Sequence, residues 1–327
     1  MPAVTAARDH GVGYLIHGAG ITVVGGPVHS LTLAEPLQLA PDEVVIDVHT
    51  AGVGNWDELV RVGSWRVGGP PPMALGVEAA GTIAAVGDAV TGLAVGDAVL
   101  THPLPLKRNG TWAQKTVAPA ATVALKPPAV SFEDAAALPV PALTTMQVLD
   151  EALDIQPGEW LLIHGASGVT GSLLVQFAVA REACVIATAS KPNASRLLGY
   201  GAREVLDYHD YDWPAHVREI TGGDGVPKAA NAARDGARTA LRAVAAGGRL
   251  ATITSDPPND ERNITISNVY VRPDGKQLTH LAELLSAGVL TVDIASARPL
   301  DEAAAALADA TSSRARGAVV LLLAAPG

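Results

Sequence analysis

The stretch LLIHGASGVTGSLLVQFAVA, residues 161–180, restricts the fold more than any other part of the chain. An apolar run enters a turn of small residues and leaves it as a segment with helical length and spacing. Parallel strands need helical crossovers, and the flanking sequence supplies them. WLLIHG, CVIATAS, EVLDY, AANAA, RLATIT and NVYVRP read as strands. GSLLVQFAVAREA, NASRLLGYGA, WPAHVREITGG and DGARTALRAVAAGG read as helices between them, several ending near Gly as helix C-termini commonly do. Alternating β and α units predict a parallel sheet covered on both faces.

The turn GASGVTG has the context that gives a glycine pattern meaning: a strand before it and a helix after it. In the dinucleotide fingerprint the second glycine lets the backbone approach a pyrophosphate, and the third lets helix and strand pack closely. Gly168 and Gly171 have that spacing, and Ala166 fills the first position. The helix start then offers free N–H groups and a positive dipole end to phosphates. Ser167 and Thr170 add hydroxyls, and Val169 completes the turn. The same residues resemble a nucleophile elbow, G-x-S-x-G, but Val169 stands at its last glycine. His164 reads as a strand-end residue rather than a base.

NAD-binding folds place Asp or Glu about 20 residues further on, to accept from the ribose 2′-hydroxyl. Here the second strand ends at Ser190 and Lys191, with no acid between Glu182 and Glu204. A hydroxyl and a cation attract a 2′-phosphate that a carboxylate would repel. The cofactor expected is therefore NADPH. Ser190, Lys191 and Asn193 are the first candidates to hold it, with Arg196 behind them.

The remaining chain frames this unit. At 327 residues it is long for one core, and 48% hydrophobic content lets it bury a large interior. Residues 1–138 alternate in β fashion around Gly and Asp turns, as in DEVVIDVHTAGV and EAAGTIAAVGDAV. The β-α region runs over 139–272. From 273 a helix KQLTHLAELLSAG, a strand VLTVDI, a helix LDEAAAALADATS and a last strand in GAVVLLLAAPG are expected to return to the first domain. Net charge is −10 and no Lys/Arg run stands out, so nucleic acid and anionic membrane are poor partners. A single cysteine, Cys184, excludes disulfide frameworks and multi-cysteine zinc sites. The N-terminus has no apolar signal region and no stretch is long enough to span a bilayer, so a cytoplasmic protein is expected.

Taken in order, AGVGNWDELVRVGSW, LGVEAAGTIAAVGDAVTGLAVGDAVL, AAALPVPALTTMQVL, LLIHGASGVTGSLLVQFA, GYGAREVLDY and GGRLATI resemble the medium-chain dehydrogenase/reductase superfamily, in its zinc-free quinone oxidoreductase branch. The resemblance implies an α/β protein: a GroES-like β-rich catalytic domain interrupted in sequence by a Rossmann domain, with the active site in the cleft between them. It implies hydride transfer from a nicotinamide to a small-molecule substrate. It places Thr144 against the nicotinamide half, Tyr208 near the adenosine phosphate, and Asn231 and the ATITS strand end, with Thr252 and Thr254, beside the nicotinamide ribose and ring. It makes NVYVRP the edge strand through which many relatives form homodimers.

The chain departs from the zinc-dependent members of that family. Gly54 stands where they carry cysteine after AGV, and Val77 where they carry the histidine of Gly-His-Glu. A catalytic zinc needs three protein ligands, so none is expected here. Leu59 replaces a tyrosine that some enoyl and quinone reductases carry. The phosphate turn reads VTG instead of GVG, and NAARDG replaces D-x-V-G.

Without a Lewis acid, a conjugated double bond or a quinone is an easier acceptor than a simple ketone, because the developing enolate needs only hydrogen bonds. Asn55 is the candidate hydrogen-bond partner for the substrate oxygen or a ribose hydroxyl. Trp56 and Trp65 are candidate walls for a flat substrate, or core residues. Asp57 reads as a cap of the helix ELVRVG. His102, Lys107 and Arg108 read first as ordinary loop residues. Three further readings stay open: a zinc-free alcohol or carbonyl dehydrogenase, a non-catalytic NADP-binding protein, and a biosynthetic step on a polyketide-like enone.

Overall fold

A computed structural model describes residues 15–36, 39–107, 109–259, 261–312 and 316–323. Arg108, the N-terminus and the end of GAVVLLLAAPG lie outside them. The described chain begins as β1 (Leu15–Ile21), β2 (His29–Ala34), β3 (Glu43–Val53), the short helix α1 (Asn55–Arg61), β4 (Met73–Ala74), β5 (Ala79–Val86), β6 (Ala98–Thr101), β7 (Lys115–Pro119) and β8 (Val123–Leu125). Helices α2 (Phe132–Ala136) and α3 (Pro139–Met146) follow. Pro139 and Pro141 fall in the first turn of α3, where a missing N–H costs little, and the helix continues into a π-helical segment, Gln147–Ala152.

The β-α region then supplies β9 (Trp160–His164), α4 (Val169–Ala180), β10 (Cys184–Ala189), α5 (Ala194–Gly199), β11 (Glu204–Asp207), α6 (Trp213–Ile220), β12 (Val226–Asn231), α7 (Ala237–Leu241), β13 (Val244–Thr252) and β14 (Thr265–Asn268). Its six strands run parallel in the order β11-β10-β9-β12-β13-β14. The order reverses at β9, which pairs with β10 on one side and β12 on the other. A crevice for ligands opens at such a switch point, beyond the carboxyl ends of the strands. The glycine turn after β9 lies there.

Alternation along these strands divides the apolar residues between two faces. Leu161, Ile163, Val185 and Ala187 pack with Leu143 of α3 and Leu174 and Phe177 of α4. Leu162, Ile186, Ala229 and Leu250 pack with Trp213 and Val217 of α6 and Leu241 of α7. That is why WLLIHG and CVIATAS read as continuous apolar runs: both faces are covered.

The chain ends with α8 (Gly275–Ser286), β15 (Ile294–Pro299), α9 (Ala303–Thr311) and β16 (Ala318–Leu322). β16 pairs antiparallel with β3, Val319 opposite Val53, within a sheet ordered β15-β16-β3-β5-β6-β8 to which β7 adds through β3. The last strand thus rejoins the first region. Leu278 and Leu281 of α8, however, share a core with α3 and α4. The architecture is the expected α/β one: a GroES-like β-rich part and a Rossmann-like parallel sheet.

Three elements differ from the sequence reading. The edge strand is Thr265–Asn268, and NVYVRP mostly follows it. Val269 and Val271 alternate as in a strand, but they pack on the core, and the Arg272 N–H donates to Gln147 Oε1 of the π-helical segment. The strand expected at VLTVDI starts only at Ile294, because Leu290 and Val292 are taken into the core beside α4 and Thr291 is held by Gln176. The helix expected through residue 248 stops at Leu241, since Val244 pairs with Val226 and opens β13.

Candidate active site

The glycine turn explains its own sequence. Gly165 has φ +82° and lies against the backbone of Ala232 and Ala233, where a Cβ would come within 2.6 Å. A Cβ on Gly171 would meet the Gly165 carbonyl oxygen at 2.2 Å, so only glycine lets α4 approach β9 this closely. Ala166 is fully buried and donates its N–H to the Thr188 carbonyl. Gly168 is different. A Cβ there would meet nothing nearer than 3.8 Å. The protein by itself leaves room for a side chain at Gly168. Gly168 is also the N-cap of α4 and has no side chain to satisfy the first N–H groups of the helix, those of Val169, Thr170 and Gly171. These face the same space. Ser167 and Thr170 are half-buried at its rim.

Ser190, Lys191 and Asn193 stand together at the end of β10. Ser190 precedes a 3-10 turn, Lys191–Asn193, and the Asn193 side chain donates to Ser190 Oγ at 3.0 Å. Lys191 is exposed. Arg196 is committed elsewhere: it pairs with Asp293 at 2.7 Å and donates to the Ser167 carbonyl at 2.7 Å, bracing the glycine turn from behind. The sheet also brings in an acid that linear spacing missed. Asp207 of β11 lies in register with Ala189, and its carboxylate accepts from the His209 ring at 2.7 Å. Hydrogen bonds from His209, with a smaller contribution from Lys191, hold it below the usual carboxylate range. Tyr208, half-exposed, stacks on His209 with ring centroids 4.2 Å apart.

At the ends of β12 and β13 the predicted Asn231, Thr252 and Thr254 do meet. The Asn231 side-chain amide donates to Thr252 Oγ1 at 3.0 Å and to Thr254 Oγ1 at 2.9 Å. The centre of this network is Asp256, which the sequence reading overlooked. It accepts from Thr252 Oγ1 at 2.8 Å, from Thr254 Oγ1, and from the Ala237 N–H at the start of α7. His164 is buried at the end of β9, bonded through Nδ1 to Thr188 Oγ1 at 2.6 Å and stacked on Trp213. Burial lowers its pKa to about 4, so it is neutral and serves the strand end.

The third group surrounds α1. The ring of Trp56 lies over Gly54, where a Cβ would fall 2.1 Å from ring atoms. Asn55 is exposed at the first turn of α1. Asp57 Oδ2 accepts from the Gly54 N–H at 2.8 Å, which makes it the expected cap. It is also wholly buried, which pushes its pKa up to about 8. Glu78 is buried nearby, raised well above the usual range by burial and by the Asp57 charge. Its Oε2 accepts from the Val140 N–H of α3 at 2.8 Å. Val140 in turn accepts through its carbonyl from Thr144 Oγ1 at 2.7 Å. A carboxyl group in the β-rich part therefore orients the helix that carries Thr144. His102 is buried, its Nδ1–H donates to the Val77 carbonyl at 2.6 Å, and burial lowers its pKa to about 4. Trp65 lies beside it, ring centroids 6.4 Å apart. Among the described residues no group of three or more His, Cys, Asp or Glu side chains could hold a metal ion. No helix among them is long and apolar enough to cross a membrane. A cavity of about 490 Å³ opens between loops 66–68 and 104–106 and Pro273.

Comparison with known proteins gives consistent matches. A model for the alcohol dehydrogenase GroES-like domain matches residues 40–128, and one for zinc-binding dehydrogenases matches residues 200–321. A quinone oxidoreductase of Pseudomonas aeruginosa is 30% identical over 307 residues, covering 88% of this chain and 93% of that protein. The pikromycin polyketide synthase component PikAII of Streptomyces venezuelae is 32% identical over 74% of this chain, and the match spans only 6% of that protein. The human synaptic vesicle membrane protein VAT-1 homolog is 31% identical over 58% of this chain and 47% of its own length. Among solved structures, a quinone oxidoreductase of Pseudomonas syringae superposes with a TM-score of 0.84 at 29% identity, covering 94% of this chain and 99% of that one. A mycobacterial protein complexed with NADPH superposes with a TM-score of 0.83 at 26% identity, covering 94% and 99%.

Proposed function

Because the chain belongs to the medium-chain dehydrogenase/reductase superfamily, in its quinone oxidoreductase branch, we propose that it reduces a quinone or an α,β-unsaturated carbonyl with NADPH and without zinc. The observation that carries this reading is the space above Gly168, empty of protein and faced by the free N–H groups of α4. A pyrophosphate fits there. The NADPH-bound mycobacterial relative supports a nicotinamide nucleotide as the ligand.

When bound, NADPH supplies the hydride. The chain's own residues bind and orient. The start of α4 holds the pyrophosphate. Ser190, Lys191 and Asn193 receive the 2′-phosphate, with Tyr208 at the adenosine end. Thr144 and the network of Asn231, Thr252 and Thr254 position the nicotinamide half. Asn55 bonds the acceptor oxygen, and Trp56 and Trp65 wall it. Zinc does not fit this site: Gly54 has no donor and is covered by the Trp56 ring, and Val77 is an apolar residue buried in the core. An enone or quinone suits a site that offers hydrogen bonds and no Lewis acid. The likeness to a polyketide synthase component favours the enone half of that class. We assign residues 1–138 and 273–327 to the catalytic domain and 139–272 to the cofactor domain. The outer edge of β14 suits a homodimer contact, and a cytoplasmic location completes the reading.

Calorimetry and turnover test it together. Metal-stripped protein should bind NADPH about tenfold or more tightly than NADH and should oxidise it with a quinone or cyclohexenone. Lys191→Ala should weaken NADPH by about tenfold and NADH hardly at all. Equal loss of both removes the 2′-phosphate assignment. Oxidation with a simple ketone alone would replace the reading by an alcohol or carbonyl dehydrogenase.

A further inference from the structure

The cavity beside Trp65 has one charged residue in its wall. Val67, Leu104, Pro105, Leu106 and Pro273 form the apolar lining, and Arg66 stands among them. Its size lies within the range of small-molecule sites. The wall is built on a packed layer: Trp65, Val67 and Leu104 rest on the core that contains Val140 of α3. The backbone is pinned on both sides of Arg66, by the Trp65 N–H to the Leu59 carbonyl and by the Leu106 N–H to the Val67 carbonyl, at 3.0 and 2.9 Å.

Several other cations are already engaged. Arg61 holds Glu58, Lys107 holds Glu43, and Arg272 holds Glu151. No carboxylate among the described residues lies within ion-pair distance of Arg66, although acids outnumber bases in the chain by 33 to 23. A guanidinium on an apolar wall with no internal counterion recognises a planar anion in two-pronged fashion. Exposure to solvent limits the strength of the contact and makes it salt-dependent.

We infer that Arg66 gives the substrate cavity an anion-recognising end, so that the acceptor is an apolar enone or quinone bearing a carboxylate or phosphate a few bonds from its reducible carbonyl. This rests on the reductase reading above. It adds which member of the acceptor class the site selects.

The test uses two acceptors with one skeleton: 6-oxohept-4-enoate and its methyl ester. The wild-type protein with NADPH should prefer the acid, with kcat/KM about three- to tenfold higher through a lower KM, and the preference should shrink as salt rises. Arg66→Ala should bring acid and ester to the same value, and Arg66→Lys should keep part of the difference. General damage to the fold lowers both and leaves their ratio intact. Crotonyl-coenzyme A serves as the phosphate-bearing arm: a larger Arg66→Ala loss on it than on the acid assigns the contact to phosphate. Equal use of acid and ester by the wild type, with no Arg66→Ala loss on the coenzyme A thioester, overturns the inference. So does an unchanged acid-to-ester ratio in Arg66→Ala. Binding of the saturated 6-oxoheptanoate and its ester, read by tryptophan fluorescence, keeps the charge question separate from turnover. If NADPH binds and no acceptor is reduced, the reductase reading fails, while the difference in binding still decides Arg66.

Discussion

Gly168 and Gly171, three residues apart, do different work, and substitution separates them. In Gly171→Ala the new methyl meets backbone atoms of residues 165 and 166 at 2.2 to 2.8 Å, which cannot move aside cheaply. We expect a loss of about 1–3 kcal/mol in stability, read as a lower melting temperature. Gly168→Ala meets nothing inside 3.8 Å and keeps an ordinary φ of −73°. It should melt like the wild type yet bind NADPH about tenfold more weakly, because the methyl intrudes on the space assigned to pyrophosphate. Intact NADPH affinity in Gly168→Ala would remove the ligand from above the turn. The close packing at Gly171 was legible in the spacing of the turn. What spacing could not show is the commitment of neighbours: Arg196 is spent on Asp293 and Ser167, and Asp207 arrives beside Ala189 from the next strand.

Helix α3 links the two sheets. Its Val140 N–H is held by Glu78 and its Val140 carbonyl accepts from Thr144, so a carboxyl group just before β5 orients a predicted cofactor contact five residues into the helix. Glu78→Leu leaves a buried N–H without a partner, at a cost of about 1–3 kcal/mol. The expected outcome is an NADPH KM raised about tenfold, with affinity for the adenosine 2′,5′-bisphosphate fragment unchanged. Glu78→Gln keeps an acceptor oxygen and should restore most of the KM. A Glu78→Leu protein with the wild-type NADPH KM would show that α3 needs no such hold. The element boundaries tell a similar story. NVYVRP and VLTVDI carry strand-like alternation, but Val271, Leu290 and Val292 satisfy it by packing on the core, and only Val269 keeps a strand-type bond, its N–H to the Thr252 carbonyl. Alternation reports which side chains are buried and leaves open whether backbone partners are a sheet or a helix face.

Across the whole molecule, buried titratable groups oppose one another in pH. His102 and His164 are neutral inside the fold with pKa values of about 4, against about 6.5 when unfolded. Their contribution is present above pH 6.5 and is lost as pH falls toward 4. Asp57, raised to about 8, does the reverse: its contribution is present below its unfolded value near 4 and is lost as pH rises through 8. Glu78 shifts in the same direction and titrates with it as a pair. Thermal midpoints should therefore change little between roughly pH 4.5 and 6.5, where the two pairs offset each other, and fall from there toward pH 8. Asp57→Asn should lessen the fall above pH 6.5 and leave the part that Glu78 contributes. A midpoint that is level from pH 6 to 9 in the wild type would contradict the buried state of this pair. The sequence by itself determined the order of β and α units, the glycine turn after β9 and the absence of side-chain donors at Gly54 and Val77, because each follows from local backbone geometry or side-chain chemistry within a few residues. Only the tertiary structure decided that Asp57, Glu78 and His102 are buried together, that Asp256 gathers Asn231, Thr252 and Thr254, and that Arg66 stands unpaired in an apolar wall. Burial and pairing depend on residues far apart in the chain, and no local pattern records them.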